Sequence, residues 1–197
     1  MKHTDSILLY ILISILLCMP YRGYSQCTAA KEIEACGTFD KWTVREIKES
    51  GIIGGKTKYS YEIAEGDTIR GAVPYVNPPH CVWSTSSVMA NVSGIVKVSC
   101  TVFPEERGDG NCVRMETRLE KVKVLGIVNL NVIASGTIFL GQIMEPIKDT
   151  KNPQGKLNCG IPFTDMPKAI MFDYKTIVGN NRMKAGGLGS PKELGDN

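Results

Sequence analysis

Trp42, Tyr75 and Trp83 are the side chains of this sequence best suited to hold a ligand. A flat aromatic face covers the C–H surface of a sugar ring, while neighbouring polar side chains take its hydroxyls. Tyr75 lies within, and Trp83 just beyond, the proline-rich stretch PYVNPPH at residues 74–80. Loops on a rigid scaffold are where binding residues gather. The competing role for both tryptophans is to fill the interior, and Trp42 weighs toward it. Four carboxylates, Glu116, Glu145, Asp165 and Asp173, could serve hydrolysis of a glycosidic bond. That reaction needs two carboxyl groups facing each other across a cleft. Glu116 stands between Arg114 and Arg118, which reads as a surface charge ladder, and nothing in the spacing pairs any two of the four. No catalytic residue is assigned.

Other chemistry has less support. His80 is the only histidine beyond the first 25 residues, and no G-x-S-x-G stands before a helix, so a Ser–His–Asp arrangement lacks its parts. The turn EERGDGN at residues 105–111 offers oxygens to a structural calcium, but not at the spacing of a known calcium loop. A hairpin turn on Asp109-Gly110 is the plainer reading, and no cofactor is expected. There is no C-x-x-C pair to suggest zinc. KDTKNP at residues 148–153 reads as a solvated turn or as a ligand rim. Asn91-Val92-Ser93 has the form of a glycosylation site but falls within strand-like sequence.

These residues need a scaffold, and the N-terminus says where it works. Lys2 and His3 precede an apolar run at residues 7–19 that Pro20 ends. Gly23 and Ser25 are small residues at the spacing a signal peptidase reads, which places cleavage before Gln26 and makes residues 1–25 a signal peptide. The expected location is secreted, periplasmic or on the cell surface, with no membrane span after cleavage. The net charge of +3 for the whole chain is too balanced to argue for nucleic acid. Roughly 170 residues remain, enough for one core. Cys18 leaves with the signal, and Cys27, Cys36, Cys81, Cys100, Cys112 and Cys159 stay. Six cysteines in an exported chain allow 15 pairings. Cys27 with Cys36 would close a short loop, and Cys100 with Cys112 would pin a hairpin. Burial as free, small apolar side chains is equally open.

Residues 26–38 read as a short lead-in, and the domain proper spans 39–197. Residues 41–49 fit a helical turn or an extended strand. Residues 56–63 alternate with Tyr59, Tyr61 and Ile63 on one face. Residues 95–103 place Val96, Val98, Cys100 and Val102 on one side. Residues 112–119 alternate again, and residues 127–140 are apolar and β-branched, with Gly136 marking a bulge or a close approach. Residues 169–174 form the last clear strand. Helix signals are weak, so the fold class is all-β: an antiparallel β-sandwich of jelly-roll type. Residues 179–197 read as a glycine-rich loop that leads nowhere, which leaves the sandwich incomplete and suggests a fragment.

Several phrases are more specific than a strand pattern. They are FDKW at 39–42, IIGG at 52–55, PYVNP at 74–78, WSTSSVMA at 83–90, TVFPEERGDGNCVRMETRLEKVKVLG at 101–126, ASGTIFLG at 134–141, EPIKDTKNP at 145–153, and GIPFT with PKAIMFDYK ending at Lys175. Collinear over about 135 residues, they resemble the carbohydrate metabolism domain family of Bacteroidetes, a β-jelly-roll family whose members continue into further strands. The resemblance implies glycan work. The expectation is an exported domain that recognises an oligo- or polysaccharide without catalysis, within a polysaccharide-utilisation system. A glycoside hydrolase is the first alternative and a structural or adhesive surface module the second.

Overall fold

The computed structural model describes residues 29–124, 128–148, 153–164, 166–186 and 189–196. Residues 1–25, expected to be a signal peptide, Cys27, Asp165 and most of the KDTKNP loop lie outside them. The described chain is all-β and sandwich-like, built from antiparallel pairs. One short helix, α1 (Ala29–Ala35), sits inside the stretch read as a plain lead-in. Its sequence, AAKEIEA, has strong helix formers and no β-branched run, so a single packed turn or two suffices to hold it.

The strands follow in order: β1 (Thr43–Lys48), β2 (Thr57–Glu62), β3 (Ile69–Arg70), β4 (Trp83–Thr85), β5 (Val88–Val92), β6 (Ile95–Ser99), β7 (Val102–Arg107), β8 (Gly110–Met115), β9 (Arg118–Val124), β10 (Val128–Ala134), β11 (Ile138–Ile143), β12 (Leu157–Cys159), β13 (Asn181–Gly186) and β14 (Gly189–Asp196). β1 is central in a three-stranded sheet, antiparallel to β2 and parallel to the short β3. β11 is central in another, between β12 and β4. The pairs β5–β6, β7–β8, β9–β10 and β13–β14 are antiparallel.

Tight turns explain the hairpins. Ser93 and Gly94, at φ 52 and 81, join β5 to β6; positive φ at both loop positions matches the right-handed twist of the flanking strands. Gly108 and Asp109 join β7 to β8, with Arg107 opposite Gly110 and Gly108 at φ 59. The turn therefore falls one residue earlier than Asp109-Gly110, because it is the first loop position that needs the glycine. Gly136 is a close-approach point. A Cβ there would lie 2.5 Å from the Glu116 nitrogen and 2.6 Å from the Thr101 oxygen, so the β10–β11 connection can press against the β7–β8 ladder only as glycine.

Two apolar clusters hold the layers together. Ile47 of β1 meets Met89 of β5, Val98 of β6 and Cys100, with Val96 and Phe103 at the margin. This is the inward face anticipated from the alternation at residues 95–103. Each such aliphatic side chain contributes about 1.5–3 kcal/mol on burial. Ile63, Ala64 and Cys81 form the second cluster, with Cys36, Phe39, Trp42, Trp83 and Ile138 packed on it. Glu49 closes the end of β1 from inside: its carboxylate accepts the Val98 amide at 3.0 Å and the Lys97 ammonium at 3.0 Å.

Three expectations are corrected. On β2 the buried residues are Ser60 and Glu62, while Tyr59 is exposed. The inward face of this strand is polar, because it faces Arg45 of β1 rather than an apolar layer. Residues 169–174 carry the apolar run expected of a strand but belong to no ladder; an apolar run becomes a strand only where a neighbour takes its amides and carbonyls. Conversely, the glycine-rich end is not a plain loop: Asn181 faces Asp196 and Lys184 faces Lys192 across the β13–β14 hairpin.

Candidate functional site

A buried group of ionisable side chains lies inside the sandwich, around Arg45. Alternation along β1 turns Thr43, Arg45 and Ile47 inward, and the register sets Arg45 opposite Ser60, two residues from Glu62. Glu145 follows β11 and comes in from the other layer. Its two oxygens accept from the Arg45 guanidinium at 3.1 and 2.6 Å, while Glu62 accepts from the same group at 2.8 Å. The Val73 carbonyl accepts a further Arg45 N–H at 2.8 Å. Glu145 also accepts the backbone amides of Met89 at 2.7 Å and Tyr75 at 3.2 Å, so one carboxylate ties β5, the proline-rich loop and β1. The guanidinium lies 5.6 Å from the centre of the Tyr75 ring.

Burial decides the electrostatics. Arg45 is 1% exposed and Glu62 5%. Withdrawal from water pushes the Glu62 carboxyl up to about 7, against the pull of the Arg45 charge, and the nearby Glu145 adds to the rise. Burial works against the charge on Arg45, yet Glu145 and Glu62 together hold its pKa above the ordinary value. Tyr75 is likewise raised, first by burial and then by the Glu62 charge. The resulting trio is a bidentate Arg45–Glu145 pair with a second carboxyl, Glu62, that takes or loses its proton near neutrality.

Two carboxylates side by side invite a hydrolytic reading, but the space does not fit it. The cavity beside them, lined by Tyr75, Ser84, Thr85 and Gln142, measures about 10 Å³. That is the size of one water, far short of a sugar ring. The cluster is a polar core that fixes the layers' register.

Of the three aromatic candidates, Tyr75 touches this group, and Trp42 and Trp83 pack on the Ile63 cluster. The indole N–H of Trp83 donates to the Ile33 carbonyl at 2.9 Å, and the ring meets Phe39 edge-on at 5.2 Å, so α1 and the lead-in cover it. Trp42 donates to the Phe39 carbonyl at 2.7 Å and packs on the Ile63 cluster. Phe39 itself sits at φ 59, a left-handed conformation that a bulky residue adopts only when its surroundings impose it, here the two indoles. Tyr75 stacks over Arg45. All three are half-buried.

The other candidates lie apart. Glu116 pairs with Arg114 and Arg118, and both guanidiniums lie over Phe103 at 4.7 and 4.6 Å, so the charge ladder stands as read. Asp173 pairs with Arg107 at 3.3 Å on the surface. Cys36, Cys81, Cys100, Cys112 and Cys159 are free thiols. Cys100 donates to the Tyr59 carbonyl at 2.9 Å, and the β7–β8 register sets Cys112 opposite Glu105, five residues from Cys100. Five strand residues span about 16 Å, more than twice what a disulfide bridges, so Cys100 and Cys112 do not pin this hairpin. Cys27, the proposed partner of Cys36, lies outside the described residues. Among the described residues no three His, Cys, Asp or Glu side chains gather as a metal site.

What the sequence reading missed is a second surface. Phe172 and Tyr174 are 73% and 80% exposed, with ring centres 6.1 Å apart and planes at 51°. Met166, Ile170, Met171, Ile177 and Val178 around them are also largely exposed. The available signal was the apolar run ending in DYK, which reads as an ordinary strand when a partner is assumed. Comparison with known proteins gives no match to a family model, a curated protein or a solved structure. Among the described residues no helix is long and apolar enough to cross a membrane.

Proposed function

We propose that this chain is an exported, non-catalytic glycan-recognition domain of a polysaccharide-utilisation system, and that Phe172 and Tyr174 are its sugar-facing platform. The observation that carries the reading is the pair of adjacent, exposed aromatic rings. Two tilted faces side by side can cover the C–H surfaces of neighbouring sugar units, while Arg107 and Asp173 beside them offer a donor and an acceptor for hydroxyls. The resemblance of several phrases to carbohydrate metabolism domains is consistent with this reading. Affinity electrophoresis through gels containing soluble polysaccharides tests it. The protein is expected to be retarded by at least one glycan, and Phe172→Ala with Tyr174→Ala to weaken that retention roughly tenfold or more. Both rings are exposed, so the melting temperature should hardly move. Absence of retardation on every glycan, or undiminished retardation of the double variant, defeats the proposal.

One observation favours a second reading, a structural or adhesive surface module. Ile170, Met171, Ile177 and Val178 are aliphatic, and sugars gain little from aliphatic side chains. An exposed apolar segment outside any ladder suits strand addition to a protein partner. That reading expects pull-down of a protein and no sugar affinity.

A further inference from the structure

Cys36 and Cys81 meet at one apolar cluster. Cys36 follows α1, and Cys81 is buried just before β4. They are 45 residues apart in sequence. Cys36 packs on the cluster formed by Ile63, Ala64 and Cys81, and its sulfur lies 3.9 Å from the His80 carbonyl, the group bonded to the Cys81 nitrogen. The Cys81 thiol donates to the Ile63 carbonyl at 2.6 Å, and burial, with Cys36 beside it, pushes that thiol up to about 12. No third metal-ligating side chain joins them among the described residues, which leaves oxidation as the chemistry for which this arrangement is set.

We propose that Cys36 and Cys81 form a disulfide in the exported protein, clamping the N-terminal helix over Trp83 and Trp42. This pairing differs from both hairpin-scale pairings that the spacing suggested. The oxidant is another disulfide, either a small one such as oxidised glutathione or that of a thiol–disulfide exchange protein. Cys36 is partly exposed and attacks first. Its thiolate displaces one thiolate from the donor and forms a mixed disulfide. The Cys81 sulfur, after losing its proton, then attacks the Cys36 sulfur and expels the second donor thiolate. Two cysteine thiols are oxidised, one disulfide is reduced to two thiols, and the S–S bond joins residues 36 and 81. The buried, reluctant Cys81 makes the second step the slow one, so closure accelerates as pH rises toward its pKa.

The bond matters because it adds a covalent tie to the contacts that hold the lead-in on the domain: the Trp83–Ile33 hydrogen bond and the packing of Cys36 on the Ile63 cluster. A closed loop of this length restricts the unfolded chain strongly, and the melting temperature should rise by roughly 10 °C on oxidation.

The test uses the full chain, incubated with oxidised glutathione, alkylated with iodoacetamide and digested without reductant. A peptide joining Cys36 to Cys81 is expected by mass spectrometry, together with a higher melting temperature that reductant abolishes. Cys36→Ser keeps the buried Cys81 side chain and should show no redox-dependent shift. Alkylation of both cysteines after oxidation, or the same redox-dependent shift in Cys36→Ser, overturns the proposal. A Cys36→Ser chain that fails to fold is replaced by reversible blocking of Cys36 in the native protein, with the same readouts.

Discussion

Arg45→Ala is expected to destabilise the domain by about 3–5 kcal/mol, enough to unfold a marginal fold outright. The reason is what stays behind. Glu145 and Glu62 would face each other in the interior with their cation gone, and the bidentate bond that joins the β1 sheet to the end of β11 would be lost. Removing all three charges together should cost less than removing Arg45 alone, because buried carboxylates without a partner are the expensive state. Urea unfolding followed by circular dichroism measures both. A stability loss under about 1 kcal/mol for Arg45→Ala would mean that the packed layers, not this trio, fix the register.

The second large effect is a dependence on pH that runs against the habit of carboxylates. Glu62 holds its proton more tightly folded, at about 7, than at its ordinary value of 4.5. Between these values the native state carries more proton than the unfolded one, so stability falls as pH rises through this window and levels off above about 7. The difference between pH 5 and pH 8 is expected to be about 2 kcal/mol from this group. Glu62→Gln cannot lose a proton and should flatten the profile, gaining stability at pH 8 relative to the parent. Chemical unfolding at the two pH values decides it: a parent that is more stable at pH 8 than at pH 5, or a slope unchanged by the substitution, contradicts the account.

How far the sequence could be read follows from these same residues. The strands at 95–99, 102–107 and 110–115 were legible because Val98, Cys100 and Val102 alternate with polar neighbours and a glycine turn separates the hairpin arms. The interior of β1 and β2 was not. Arg45 and Glu62 look like solvent-facing residues until the partner from a distant strand, Glu145, is known, and pairing across 100 residues leaves no local trace. The role of the aromatic candidates was hard to read for a related reason. A loop tryptophan reads as a platform or as a plug according to what covers it, and the cover here is α1, whose Ile33 carbonyl takes the Trp83 N–H. The β13–β14 hairpin was hidden by its glycines, which look like loop when pairing is ignored.

The exposed run at residues 166–178 has a consequence for handling the molecule. Proteases bind their substrates drawn out along the cleft, and most folded chain resists because its ladders must first open. Here Ile170, Phe172 and Tyr174 stand outside any ladder, so binding in a protease cleft breaks no sheet hydrogen bond. Dilute chymotrypsin should nick the native chain first beside Phe172 or Tyr174, leaving the part that holds Arg45, Glu62 and Glu145 as one resistant piece. A first cut inside residues 43–143 would show that this piece opens more readily than the segment that trails from it.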